Sequence, residues 1–485
     1  LKFCGTLHPN GGLPSPSLHG RKRASARVHF EAGLGGVMSR QQDGGLLPRA
    51  FPNAGVWCWV NSLLQALGSL TDERWWALLD GEPRFGATDL LSALAEALRW
   101  INRRPLPGQT DDLADGFPPR AVKLALERAL LEECQLSPSA EQDVHEALLQ
   151  VLEGIDVCLL RRQVHAARRL VPRSGLAPLG PFLRLGAGTS AEASALAAAR
   201  LALVEGWVGL LEETRVCLEC GLRTADRCEV RQAFRCLSLD LPPPGGDIVS
   251  ALWSAYGGEK PERVDGVICP RCSLFASLLR CRNEAVHFSL PAQRACRLLR
   301  SCMEAADGVV PSEALLPLGV TSWAEARSPT LRSHTIVRAP RVLALHLRRL
   351  GYGPWGPTKS EAFVGYPPSL DLRAEAAASA AAAPPHALRA VVSHFGSALG
   401  GHYVALRRWT PPGLPCPSSW LLLPMLPGPL LRAALRGRHL ACAASAFGVP
   451  WLCADDDRLS WVGVREALDQ RGAYLLLYEA PPCRL

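Results

Sequence analysis

The stretch Asn53-Ala-Gly-Val-Trp-Cys58-Trp-Val-Asn61-Ser62-Leu-Leu-Gln65-Ala-Leu67 restricts the fold more than any other part of the chain. A turn-forming Asn-Ala-Gly runs straight into apolar residues at helical spacing. Val60, Leu63, Leu64 and Leu67 fall at i, i+3, i+4 and i+7 and predict one apolar face of a helix. Cys58 then sits at or just before the first turn. Unpaired N–H groups there carry partial positive charge and favour the thiolate, the nucleophilic form of cysteine. The competing reading is a buried structural thiol, since free cysteine is among the most buried residue types. The rest of the chain has to decide between them.

At 485 residues, with 48% hydrophobic and 20% charged side chains, the chain is long and apolar enough for a large core and for roughly two to four domains, and is not a disordered polymer. The net charge of +8 is modest, and the basic runs Arg21-Lys22-Arg23 and Arg161-Arg162 are short, so no nucleic-acid partner is expected. The 17 cysteines follow no disulfide rhythm and no secretory signal opens the sequence. They read as reduced thiols, which places the chain in the cytoplasm or the nucleus. No uninterrupted apolar run reaches the ~18 residues of a transmembrane helix. The sequence starts at Leu1 rather than Met, which leaves an upstream targeting segment or membrane anchor open.

Residues 1–48, rich in Gly, Pro, Ser and Arg, predict a flexible leader. Further helical patterns cover Leu90–Trp100 and Arg120–Glu133, with a Pro- and Gly-containing loop at 105–119 between them. In Gln142-Asp143-Val144-His145-Glu146, Val144, Leu148, Val151, Leu152 and Ile155 form an apolar stripe, and Asp143 and Glu146 share another, exposed face at i, i+3. A loop from 161 and an Ala-rich helix at 190–205 follow. Cys217-Leu-Glu-Cys220 and Cys269-Pro-Arg-Cys272 are the Cys-x-x-Cys pairs of the chain. Each turn aims two sulfurs at one point, and two such turns offer a closed four-thiolate site for structural Zn2+, against chance spacing as the alternative. Phe234–Leu241 is strand-like, which would set the knuckles at the tips of long hairpins. Residues 281–335 read as an irregular insertion, 340–349 as a buried strand, 363–372 as an extended piece, 374–385 as a low-complexity surface segment, and 409–450 as an inserted loop. A strand ending at Gly396 leads through a Gly-rich loop, 396–401, to a second strand that starts with His402. Trp451–Asp457 carries three consecutive aspartates, and Ala473–Glu479 is the closing strand.

Cysteine, histidine and aspartate thus occur in the order nucleophile, base, orienting residue of papain-like thiol hydrolases. Taken with the Asn53–Leu67 stretch, the Gln142–Glu146 box, the paired Cys knuckles, the strand Val342–Arg349, the His394–Tyr403 box and the closing strands, the chain from about Phe51 to Glu479 resembles the ubiquitin-specific proteases. The resemblance implies an α+β papain-like fold with a helical thumb (about 50–204), zinc-tipped β fingers (about 205–340) and a β-sheet palm (about 341–480), together a catalytic domain over 49–480. It implies Cys58 as nucleophile, His402 as base, Asp455 as the orienting carboxylate with Asp456 assisting, and Asn53 as oxyanion donor. Asp143 and Glu146 would face the basic tail of ubiquitin, and Gly400 and Gly401 would border the cleft for its Gly-Gly end. Cys217, Cys220, Cys269 and Cys272 would hold the zinc. No organic cofactor is expected, and ubiquitin and ubiquitinated proteins would be the partners. The chain departs from the family pattern in Trp57 and Trp59 on either side of the sulfur and in Ala147 where an aromatic is usual. A Trp beside the sulfur is expected to restrict the approach of substrate. The alternatives are therefore a ubiquitin-binding scaffold with weak or no turnover, and a protease for another ubiquitin-like modifier.

Overall fold

The computed structural model describes residues 48–53, 55–80, 89–102, 119–170, 206–223, 231–258, 260–285, 297, 301, 325–372, 385–409 and 451–481. All of them fall in the unit Gly35–Leu485. The expected leader up to residue 47, the loop at 103–118, the Ala-rich helix, the Ala-rich run up to 384 and the segment 410–450 lie outside the described residues. Among the described residues no helix is long and apolar enough to cross a membrane.

Among the described residues five helices come first: α1 (Cys58–Leu67), α2 (Glu73–Asp80), α3 (Leu90–Asn102), α4 (Pro119–Cys134) and α5 (Val144–Leu170). Helices α6 (Ile248–Tyr256), α7 (Pro270–Ala285) and α8 (Val464–Leu468) follow among the strands. Helix α5 runs through the expected loop start at 161, because Arg161-Arg162-Gln163 and the alanines after them are good helix formers and no Pro intervenes before Leu170. All ten residues of α1 are buried, so the expected single apolar face is not what is found. The helix is wedged between α3, α5 and the strands that carry His402, and its polar residues hold the preceding chain in place. Asn61 Nδ2 donates to the Phe51 carbonyl at 3.1 Å and Gln65 Nε2 to that of Arg49 at 2.8 Å.

The strands form two larger sheets. In the first, β1 (Gly209–Cys217), β2 (Arg231–Phe234), β4 (Glu262–Ile268) and β5 (Arg327–Arg338) lie in the order β2-β1-β5-β4, all antiparallel. Residues 327–335 are therefore strand, not irregular insertion. The second sheet is built from β3 (Cys236–Asp240), β6 (Val342–Arg348), β9 (Ser369–Leu370), β10 (His386–Ser397), β11 (Gly400–Arg408), β12 (Trp451–Asp455), β13 (Arg458–Val462) and β14 (Ala473–Glu479). Its order is β13-β12-β11-β10-β14-β6-β3, with β9 on β10; only β3–β6 is parallel. A separate hairpin pairs β7 (Leu350–Gly353) with β8 (Gly356–Lys359). The strand-like run 234–241 is thus divided, Phe234 ending β2 in one sheet and Cys236 starting β3 in the other.

Alternation sorts the large sheet's side chains between two cores. Val342, Ala344, Ala390, Val392, Leu475 and Leu477 face α1–α5. Leu343, Leu345, Leu347, Val391 and Leu476 face the opposite side with α6 and α8. The first core seats the N-terminus of α1 on the sheet beside β11 and β12, and this fixes where Cys58 meets the strands.

Candidate active site

Cys58 is the first residue of α1. Trp57, at the N-cap, has no side-chain oxygen, and no acid lies in the first turn, so the positive end of the helix is left open at the sulfur. The turn leading in is fixed by Asn53, whose Oδ1 accepts from Trp57 N at 3.0 Å.

His402 stands on β11, opposite Phe395 of β10. The two strands are joined by the two-residue turn Ala398-Leu399, so β11 starts at Gly400 and the glycines lie within the hairpin rather than in a long loop. Their lack of a side chain is required. Gly396 has φ +113°, and a Cβ on Gly401 would come within 2.4 Å of His394 Nε2 and 2.2 Å of the Phe395 carbonyl. His402 Nε2 is 2.6 Å from Asp455 Oδ1, at the end of β12, and 3.8 Å from Asp456 Oδ2. The Asp455 hydrogen bond raises His402 to about 10, a hydrogen bond with Cys58 adds to it, and burial opposes both. The same Asp455–His402 bond holds the Asp455 carboxyl below its ordinary value. The imidazole therefore bonds the thiol on one side and a carboxylate on the other.

Asp456 opens the tight turn between β12 and β13 at φ +53°, a left-handed conformation that aspartate tolerates better than most residues. Its carboxylate receives Asn53 Nδ2 at 2.7 Å and Asn61 Nδ2 at 3.3 Å. Asn61 was missed at the level of sequence; an Asn three residues after the cysteine, in the first turn of a largely apolar helix, was the available signal. Asp143 is not on a helix face but precedes α5. Its Oδ1 caps the helix through His145 N (2.8 Å) and Glu146 N (3.2 Å), and Oδ2 accepts from the Tyr474 hydroxyl. Glu146 is exposed. Gly400 lies against the Glu141 carboxylate, 3.0 Å from where its Cβ would be, so the α5 side and the hairpin side of the site meet there.

Trp57 and Trp59, on either side of the sulfur, are packed into the interior. Both are buried, at 2% and 1% exposure. Trp57 packs on Phe51 with Lys123 Nζ 4.1 Å from its ring, and Trp59 donates to the Ala140 carbonyl at 3.2 Å.

The second cysteine site is at the end of the smaller sheet. Cys217 ends β1, and Cys269 precedes α7, so the second knuckle opens a helix instead of tipping a hairpin. The first knuckle is closed by Gly221, at φ +70°, whose N–H donates to the Cys217 carbonyl. The ligand atoms of Cys217, Cys220, Cys269 and Cys272 all lie within 4.8 Å of one another, with Cys217–Cys272 at 3.7 Å and Cys220–Cys269 at 3.5 Å. Zn–S bonds of ~2.3 Å in a tetrahedron set sulfurs ~3.8 Å apart, so the cluster fits a four-thiolate zinc site.

A cysteine at a helix start, bonded to a histidine that a carboxylate orients, defines a papain-like thiol hydrolase centre. The sequence profile of the ubiquitin carboxyl-terminal hydrolases matches residues 50–478, and the chain belongs to that family of cysteine-type hydrolases. Ubiquitin carboxyl-terminal hydrolase 2 of Bos taurus is 38% identical over 84 residues, a segment covering 17% of this chain and 14% of that protein's length. Among solved structures, the SAGA Ubp8/Sgf11/Sus1/Sgf73 DUB module bound to ubiquitin aldehyde aligns over 92% of this chain and 71% of its own, with TM-score 0.50 at 16% identity. A form of that module bound to monoubiquitin, with a substituted Ubp8, covers 94% and 73%, with TM-score 0.50 at 15% identity. At these identities the likeness shows the shared fold: helices as thumb, the large sheet as palm, the smaller sheet as fingers.

Proposed function

We propose that the chain is a deubiquitinase that hydrolyses the isopeptide bond after the C-terminal glycine of ubiquitin through an acyl-enzyme. The observation that carries the reading is the continuous series Cys58–His402–Asp455, with 2.6 Å between His402 Nε2 and Asp455 Oδ1, at the open end of α1. In this reading Cys58 gives its proton to His402 and attacks the glycine carbonyl carbon as the thiolate. The oxyanion takes a hydrogen bond from Asn53, whose amide has a second N–H beyond the one given to Asp456. Asp456 thereby aims the donor. As the C–N bond breaks, His402 returns the proton to the leaving lysine amine, leaving a thioester on Cys58. Water, deprotonated by His402, then releases the ubiquitin carboxylate and the free thiol.

Glu146, exposed beside the cleft, suits the basic tail of ubiquitin, while Asp143, with both oxygens engaged, shapes the wall. Gly400 and Gly401 would border a cleft narrow enough to admit a Gly-Gly end and exclude bulkier ones. Cys217, Cys220, Cys269 and Cys272 would hold Zn2+, which supplies the positive charge that four adjacent thiolates need and ties β1 to the start of α7. Both sites require free thiols, which favours a reducing compartment, the cytoplasm or the nucleus.

The test is labelling with ubiquitin that carries a C-terminal electrophile, run beside ubiquitin-like modifiers bearing the same group. The wild-type chain is expected to form the ubiquitin adduct and Cys58→Ala to form none. Ubiquitin binding without an adduct would replace this reading with a scaffold, and preference for another modifier would change the substrate.

A further inference from the structure

A row of rings behind the cleft has no part in the reaction as described. His145, in the first turn of α5, stacks on His346 of β6 with centroids 4.0 Å apart and planes 11° from parallel. His346 meets Tyr474 of β14 edge-on at 4.8 Å, and the Tyr474 hydroxyl donates to Asp143. Tyr474 lies 6.0 Å from Tyr403, the residue after His402. On the far side, His346 Nδ1 is 3.0 Å from the Ser238 hydroxyl of β3. The stack thus spans the seam between the thumb, on α5, and the palm, on β6, two residues from the Asp143 that walls the cleft.

The groups around the pair leave it neutral. Burial pushes His145 below the ordinary imidazole value, while Asp143 and Glu146 pull the other way. Burial takes His346 to about 4, helped by His145 and Arg348 and opposed by Asp143. The other titratable neighbours stay uncharged. Burial raises the Cys236 thiol on β3 to about 12, and lifts Tyr403 and Tyr474 well above the ordinary phenol range. Neutral stacked rings attract; two imidazolium ions at 4.0 Å repel.

We propose that the His145–His346 stack is a positioning contact that holds the Asp143 wall against the palm and so sets the width of the slot by which the Gly-Gly end reaches Cys58. Neither histidine touches the reacting atoms; both act through Asp143 and Tyr474. The inference rests on the deubiquitinase reading.

The test measures kcat and KM of the full chain on ubiquitin with a C-terminal fluorogenic amide, from neutral pH downward. His145→Ala is expected to raise KM about tenfold at neutral pH and to change kcat less than about threefold, because a shifted wall weakens capture while the Cys58–His402 pair is intact. His145→Phe restores a flat stacking ring and should bring KM back to within about twofold of wild type. It also removes the charge. The wild-type KM should therefore rise as pH falls from the ordinary imidazole range toward about 4, and the His145→Phe KM should not. An unchanged KM in His145→Ala, or the same acid rise in His145→Phe, overturns the proposal. A merely structural role would lower the melting temperature of His145→Ala without separating KM from kcat. Hydrogen exchange in the first turn of α5 gives a readout independent of the reaction. Corrected for intrinsic rates, it should quicken on acidification in wild type and not in His145→Phe; equal behaviour also overturns the proposal. A wild-type chain that fails to cleave the reporter counts against the deubiquitinase reading, and the exchange result still decides the stack.

Discussion

Cys58 and Cys269 occupy nearly the same local setting and face different partners. Cys58 is the first residue of α1, and Cys269 stands immediately before α7. Both sulfurs are at a helix N-terminus, where N–H groups favour a thiolate. Their partners separate them. Cys58 faces an imidazole that can take its proton, whereas Cys269 faces three more thiols that compete for negative charge until a cation is shared. The position at a helix end is shared, and what differs is the set of side chains across from it, an imidazole for Cys58 and three thiols for Cys269.

If that contrast holds, changes in the cleft should cost rate and spare metal, and changes in the knuckles should do the reverse. The largest effect on turnover among the partners of Cys58 is expected at Asn53. Asn53→Ala should lower kcat by about 100- to 1000-fold with zinc content and KM little changed, by steady-state kinetics and metal analysis. A loss confined to KM would remove Asn53 from the oxyanion.

Asp455→Asn comes next and is read as a pH profile. The imidazolium that protonates the leaving amine is present below the His402 value and lost as pH rises through it. With His402 raised to about 10, the alkaline limb of kcat/KM should lie near there in wild type. Removing the Asp455 charge takes away the largest cause of that rise, so the limb should move down by at least about one pH unit. An unmoved limb would assign it to another group.

Cys272→Ser should have the smallest effect on chemistry and a large one on stability. One zinc per chain is expected in wild type and none in the variant. The melting temperature should fall by on the order of 10 °C, while alkylation of Cys58 in the folded protein stays within about threefold of wild type. A collapse in Cys58 reactivity at temperatures where the variant is folded would show that the two sites are coupled.

The two regions also differed in how much of them could be read from sequence. In the palm, Val342–Arg348 and Ala473–Glu479 were legible because buried strands carry unbroken apolar runs. In the fingers, β5 was not, since Ser328 and Thr330 fill two of its three buried positions and no apolar alternation marks it. Cys58, His402 and the two aspartates could be singled out by order and motif. The contacts that aim them were not: Asn53 meets Asp456 across 403 positions, and Tyr474 meets Asp143 across 331. Such pairings depend on how the strands are ordered in the sheet, which no local pattern records. The burial of Trp57 and Trp59 was hidden for a similar reason, because it follows from α1 being packed on all sides by α3, α5 and the sheet.

The position of β14 has a consequence for how the protein is made. It is the last described strand in the chain, yet it lies in the middle of the palm, between β10 and β6. Its final residue, Glu479, reaches back to the loop after α1, where the carboxylate accepts from Thr71 N (2.9 Å) and Asp72 N (2.8 Å), and it forms an ion pair with Arg389 of β10 (2.7 Å). During synthesis β6 and β10 therefore wait with facing edges unpaired, each an open template for another chain. Until β14 inserts between them, the nascent protein exposes the surface on which it would aggregate, and its folding is timed by the arrival of one late strand.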